Sequence, residues 1–380
     1  MLRIEKYGLI LLFVVLYSVL SGYSFFANDD DVAAIVSAMS VEQKVGQLFM
    51  IGNLGRHLTD DDNFSKYHFG NIFFGYDDIS KLDAVQITQL TATLQALAQK
   101  HNAIPLLIAT DQEGGRVNRV KKGVTAYPDQ EQVASKMSIA ESEAIAFTTA
   151  QQLGALGINT NFSPVVDVNT NKGSLIGTSK RAFSDNPQVV SAYGAAYLKG
   201  YRAGKVIGCA KHFPGYGDVT PDPHKSLSSI AKSREEMHAC EWVPYKDLIA
   251  SSLVDMIMTA HILTPSVTGD ENVPATISKN MIQGILRDEM KYDGVVVTDD
   301  FNMGAMTSSY SIEEQAVMCI NAGVDIILWV GRPEVQKRAW EGVHAAVRNG
   351  TISQERLNES VMRVLKLKKK YGLLNSIDVE

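Results

Sequence analysis

The stretch Gly294-Val-Val-Val-Thr-Asp-Asp-Phe-Asn-Met303 contains the unit from which the fold is read. Three consecutive valines after a glycine describe a strand buried on both faces, as in parallel sheets, and two carboxylates stand at its exit. Charge held against a packed apolar wall is costly, so a strand that ends this way is expected to open onto a cavity. Successive strand residues point to opposite sides, so only one of Asp299 and Asp300 is expected to face that cavity. Spacing alone does not say which.

The same unit recurs along the chain. Candidate strands are Leu48 to Ile51, Gly70 to Phe74, Pro105 to Thr110, Thr160 to Val168, Gly208 to Phe213, Met256 to His261, Gly294 to Thr298 and Asp325 to Val330. Amphipathic helical patterns fill the intervals: Ala84 to Gln99, Glu141 to Leu153, Pro187 to Ala203, Arg234 to Ser251, Lys279 to Met290 and Ile312 to Ala322. Alternation of strand and helix predicts a parallel sheet with right-handed crossovers. Eight such units in about 340 residues fit a closed (β/α)8 barrel of the TIM type better than an open sheet. No Pro/Gly/Ser-rich linker divides the chain and a final helix over Ser353 to Tyr371 runs nearly to its end, so one barrel domain over 28–380 is expected.

The 380 residues are 45% apolar and 21% charged, with a formal charge of −6, which suits a large packed core and not a nucleic-acid partner. The short basic run Lys366, Lys368, Lys369, Lys370 reads as a solvated helix face. At the N-terminus Arg3 and Lys6 precede an apolar run, Gly8 to Leu20, followed by the small residues Ser21, Gly22 and Ser24. Residues 1–27 are therefore expected to be a secretory signal peptide, removed on export to the periplasm or medium. The alternative is an uncleaved anchor, with membrane association only in that case. Three cysteines, Cys209, Cys240 and Cys319, are too few and too scattered for a disulfide framework or a zinc site; Cys209 reads as a buried small hydrophobe.

In a barrel of this kind the active site is built at the carboxy-terminal strand ends. The third strand is followed by Asp111-Gln-Glu-Gly-Gly-Arg-Val-Asn-Arg119, the fourth by Asp167, the fifth by Lys211 and His212, the sixth by His261 and the seventh by Asp299-Asp300. Any one of these reads equally well as a loop cap or a salt bridge; five in phase point to a site. In KHFPGYGDVTPDPH, Lys211 to His224, the prolines and glycines describe a projecting loop that carries Asp222 and His224. A carboxylate two residues from an imidazole can bond one ring nitrogen and leave the other free for proton transfer. The plainer reading is an Asx-type turn beside an exposed histidine.

DQEGGRV at Asp111 to Val117, KHFPG with D-x-H at Asp222 to His224, and TDD at Thr298 to Asp300, in this order, resemble glycoside hydrolase family 3, specifically its single-domain bacterial β-N-acetylhexosaminidases. The resemblance spans roughly Val41 to Leu374. It implies Asp299 as nucleophile and His224, polarised by Asp222, as acid/base. It further implies Asp111, Arg119, Arg181, Lys211 and His212 as ligands of sugar hydroxyls, with no metal and no cofactor. The family's KHFPGHGD reads KHFPGYGD here, so Tyr216 is expected to alter loop packing without loss of activity. The resemblance implies exo-acting, retaining hydrolysis of terminal β-linked N-acetylglucosamine, from peptidoglycan or chitin-derived fragments, through a glycosyl-aspartate intermediate. The alternatives are a β-glucosidase or an N-acetylglucosaminide phosphorylase of the same family, a Schiff-base aldolase using Lys211, and a sugar-binding module without turnover.

Overall fold

A computed structural model describes residues 29–52, 55–219, 227–302 and 310–374. The eight strands are β1 (Phe49–Gly52), β2 (Asn71–Phe74), β3 (Leu107–Thr110), β4 (Thr160–Asn161), β5 (Ile207–Phe213), β6 (Met256–Thr259), β7 (Val295–Thr298) and β8 (Ile327–Val330). They pair in parallel in the order β7-β6-β5-β4-β3-β2-β1-β8. The two ends then meet. Val297 bridges Ile326, the Asp325 amide donates to the Val296 carbonyl at 2.9 Å, and the Leu328 amide donates to Thr298 Oγ1 at 2.9 Å. The sheet is thus closed on itself as the expected (β/α)8 barrel, with helices between its strands.

Helix starts are set by short polar side chains that accept from the otherwise orphaned first-turn amides. Ser138 and Ser311 do this with Glu141 and Glu314 in reciprocal boxes, and Asn186 caps a helix opened by Pro187. Where the elements depart from expectation, proline is the cause. β4 stops at Asn161 and does not run on to Val168, because Pro164 has no amide to give the ladder, and only an isolated bridge from Val165 to Lys211 continues it. The helix expected over Arg234 to Ser251 is two, Arg234–Ala239 and Val243–Ala250, the second with Pro244 in its first turn. Asn280–Glu289 winds as a π-helix.

Inward-facing Met50, Leu107, Phe162, Cys209, Met258, Val297 and Leu328 fill the barrel. Val364 and Leu367 of the last helix, Gln354–Lys370, join the same cluster. That helix lies under the amino-terminal strand ends, since Lys368 Nζ donates to Gln47 Oε1 at 2.7 Å and to the Gly70 carbonyl at 3.0 Å, just ahead of β1 and β2. The basic run is therefore not a solvated face: Lys368 is fully buried and Lys370 pairs with Asp255 at 2.6 Å. The barrel unit begins at Ser40; the helix Asp29–Ala38 belongs to a separate unit. The N-terminal apolar run lies outside the described residues, among which no helix is long and apolar enough to cross a membrane.

Burial brings the Lys368 ammonium down to about 7. An unfolded lysine titrates near ~10.4, so the cost of burying the charge is absent above that pH, grows as pH falls, and is complete below about 7. Melting temperatures of Lys368→Met and the unaltered protein, taken from pH 9 to pH 6, should accordingly shift in the variant's favour as pH falls. A pH-independent difference would contradict the burial of an uncompensated ammonium.

Candidate active site

The carboxy-terminal strand ends surround a cavity of about 370 Å³ lined by Asp111, Arg119, Arg181, Lys211, His212, Asp299 and Asp300, with Phe73, Phe162 and Met258 at its base. Seven of the side chains expected at a site are thus brought together by three strand exits and one loop. At the β3 exit the chain makes a tight hairpin, Gln112–Gly114 against Val117–Asn118, which returns Arg119 to the mouth. Gly114 and Gly115 have φ of +103° and +56°, and a Cβ on either would meet Pro128 O at 2.3 Å or Asp129 Cβ at 2.6 Å. Only glycine fits both turns.

At the β5 exit the pairing with β6 slips by one residue between Lys211 and Phe213. The extra residue resets strand alternation, so the adjacent Lys211 and His212 both face the cavity. Lys211 Nζ sits 2.6 Å from Asp111 Oδ1 and 2.6 Å from Glu113 Oε1. Arg181 grips the same Glu113 with both prongs, Nε to Oε2 and Nη2 to Oε1, each at 2.8 Å. Burial would raise the Glu113 carboxyl, but Arg181 and Lys211 hold it well below the usual range. Burial would likewise lower the Lys211 ammonium, but Asp111 and Glu113 outweigh it and leave its pKa raised. Arg119 Nη2 stands 3.6 Å from Asp111 Oδ2, so the pocket wall alternates positive and negative charge.

His212 is fixed on both sides. Its Nδ1 lies 2.7 Å from Asp167 Oδ2, and Arg181 Nη2 approaches Nε2 at 3.3 Å. A guanidinium can only donate, so Nε2 accepts and the proton sits on Nδ1, donated to Asp167. The second oxygen of Asp167 takes the backbone amides of His212 and Tyr216. Tyr216 packs on Val165, Ile176 and Ala182, with its ring 5.9 Å from that of His212.

Both Asp299 and Asp300 line the cavity, contrary to the expectation that only one would. β7 ends at Thr298, so strict alternation does not extend to them. Their carboxylates are held differently. Asp300 Oδ1 accepts from the amides of Asn302 at 3.0 Å and Val330 at 2.8 Å, bracing the β7–β8 seam, while Asp299 Oδ1 accepts from the Asp300 amide at 2.8 Å. Burial, reinforced by the neighbouring Asp299 charge, pushes Asp300 up to about 6 against those two amides. His261 is not on the cavity wall. It is buried between Thr276 Oγ1 at 3.0 Å and the Asp300 carbonyl at 3.2 Å, burial lowers its pKa, and it supports the turn that presents the two acids.

Asp222 and His224 lie outside the described residues. On the flanks of their segment, Lys232 Nζ reaches Asp218 Oδ2 at 3.2 Å and also pairs with the buried Glu241, while Ser228–Ser229 pairs with Ile262–Leu263. Among the described residues no group of three His, Cys, Asp or Glu side chains is placed to hold a metal. Sequence reasoning placed Asp167 at a strand exit without giving it a role, and it passed over Glu113. The missing signal was charge balance: Arg119, Arg181 and Lys211 in a buried mouth need more acid than Asp111 supplies.

A barrel with an acid-and-cation-lined cavity at these strand ends has the architecture of a barrel enzyme for a polar substrate. The chain belongs to glycosyl hydrolase family 3: residues 40–367 match the glycosyl hydrolase family 3 N terminal domain. A β-hexosaminidase of Stenotrophomonas maltophilia strain R551-3 is 33% identical over 305 residues, covering 78% of this chain and 87% of the relative. Beta-hexosaminidase A of Pseudoalteromonas piscicida is 33% identical over 326 residues, covering 80% of this chain and 54% of that protein. The solved family 3 β-N-acetylglucosaminidase of Paenibacillus sp. str. FPU-7 superposes with a TM-score of 0.84 at 38% identity, over 90% of this chain and 65% of that one. This chain thus spans about half to two thirds of the length of the latter two.

Glu113→Gln removes the charge that the buried Lys211 and the half-buried Arg181 share. It should destabilise the protein by about 3 kcal/mol, read as a lowered midpoint in urea, because the buried Lys211 is left with Asp111 as its one paired carboxylate and Arg181 loses both of its ion-paired oxygens. A midpoint within error of the unaltered protein would show that water, and not Glu113, compensates these cations.

Proposed function

We propose that this chain is an exo-acting, retaining β-N-acetylglucosaminidase, with Asp299 as nucleophile and His224, oriented by Asp222, as acid/base. The observation that carries the reading is the single pocket in which Asp299 faces a wall of Asp111, Arg119, Arg181, Lys211 and His212. Such a wall suits the hydroxyls of one sugar ring, with acceptors and donors alternating around it, and a closed end favours a terminal residue over a mid-chain one. The names of the relatives support the acetamido sugar. Of the two acids, Asp300 is the poorer nucleophile: one oxygen is occupied by two amides, and a carboxyl pushed up to about 6 is part-protonated near neutrality. Asp299, bound through a single amide, keeps its second oxygen for the anomeric carbon.

In the proposed first step Asp299 attacks the anomeric carbon as the glycosidic oxygen leaves with a proton from His224. In the second, His224 takes a proton from water, which releases the sugar from Asp299. Lys211 does not serve as an amine nucleophile, since it is doubly ion-paired with its pKa raised and holds its proton. We further propose that residues 1–27 direct export and that the substrates are fragments of peptidoglycan or chitin.

Asp299→Asn should lower kcat on an aryl N-acetyl-β-glucosaminide by about a thousandfold or more while leaving the melting temperature near that of the parent. A fluorosugar that slows the second step should label the peptide holding Asp299. Label on Asp300, or equal turnover of the aryl β-glucoside, would sink the assignment.

A further inference from the structure

Of the exposed large hydrophobic side chains among the described residues, Tyr76 is the aromatic one, 50% exposed, and it lines the cavity that holds Asp299. It opens the short helix Tyr76–Ile79 that follows β2, so it stands at the rim, while the polar wall comes from the exits of β3 and β5 and the Arg181 loop. Its position is defined from two directions. The Asp78 carboxylate accepts from the Gly75 amide at 2.9 Å, fixing the turn that projects it, and Lys121 Nζ lies 5.7 Å from the ring centroid. Lys121 follows the hairpin that carries Arg119, so a cation–π contact joins the loops after β2 and β3 over this ring.

An aromatic ring left half in water at the rim of a charged pocket has no packing duty that accounts for it. A pyranose presents a face of C–H bonds that such a ring can cover, and the polar wall deeper in leaves the ring to whatever is attached beyond the bound sugar. We propose that Tyr76, oriented by Lys121, is the stacking platform for the leaving group of the substrate, and that this leaving group is a pyranose sugar. The inference rests on the glycosidase reading above and adds the residue that holds the departing sugar. Tyr76 takes no part in bond breaking; it binds the half of the substrate that departs. The Tyr76 hydroxyl is not required, because the contact is made by the ring.

The test compares the β-linked disaccharide of N-acetylglucosamine with N-acetyl-β-glucosaminyl fluoride, whose leaving group is one atom. In Tyr76→Ala the ratio of kcat/KM for disaccharide over fluoride should fall about five- to tenfold, the size of one aromatic contact, chiefly through KM, and Tyr76→Phe should restore it. Equal loss on both substrates, or an unchanged ratio, overturns the platform. Failure of the hydrolase reading would appear instead as no turnover of either substrate by the unaltered protein. Calorimetric binding of the disaccharide then decides, weakened by Tyr76→Ala if the platform stands and unchanged if it does not.

Discussion

A buried carboxylate shared by a buried lysine and a half-buried arginine is the constraint on which the site depends. Glu113 is closed off from solvent, and its two oxygens are taken by the Arg181 fork and by Lys211. None of the three could be buried alone without a penalty of several kcal/mol. Together they fix the direction of two side chains that the chain brings from distant segments, the loop before the helix Pro187–Ala203 and the exit of β5. The pairing also engages Nε and Nη2 of Arg181 and leaves Asp111 as the acid that faces the cavity on this side, paired with Lys211.

The side of the pocket that holds Asp299 and Asp300 is set by different means. The barrel seam is closed with few strand-to-strand bonds, and Asp300 supplies one of the ties by receiving the Val330 amide. An acid engaged in this way loses mobility, and the adjoining Asp299, held through a single amide, is left with its second oxygen free of amides. A pair of acids that looks redundant in sequence is thus divided between holding the wall and facing the ligand. His261 belongs to the first task, since its ring spans Thr276 and the Asp300 carbonyl without reaching the cavity.

The fold was legible because its signal is periodic. Short apolar runs alternating with amphipathic helices mark all eight strands, and the residues after them supplied Asp111, Asp167, Lys211, His212 and Asp299. Strand ends that depend on a missing amide, as at Pro164, were not legible from hydrophobicity, which continues through Val168. Nor was the facing of Asp300, because alternation holds only while the backbone stays extended. Asp167 was legible by position after the fourth strand but not by role, and Glu113 by neither: they neutralise and orient other side chains, and such roles follow from three-dimensional charge balance and hydrogen bonding. The basic run near the C-terminus misled because helix amphipathicity is a property of faces, and Lys368 lies on the face with Val361, Val364 and Leu365.

Lys211 and Lys368 carry this contrast furthest. Both are buried at an end of the same barrel, one at the mouth and one at the base, and desolvation acts on each in the same direction. Lys211 meets two carboxylates and stays charged; Lys368 meets an amide oxygen and a carbonyl and is brought to about 7. Partial charges on neutral acceptors can satisfy the geometry of an ammonium without balancing its charge. The same residue type is therefore a permanent cation where the pocket must hold a field for a polar ligand, and a titrating group where the helix Gln354–Lys370 seals the opposite end. The chemistry of a lysine in this barrel is decided by which strand ends it faces, and the acids that make that difference stand at the carboxy-terminal ends.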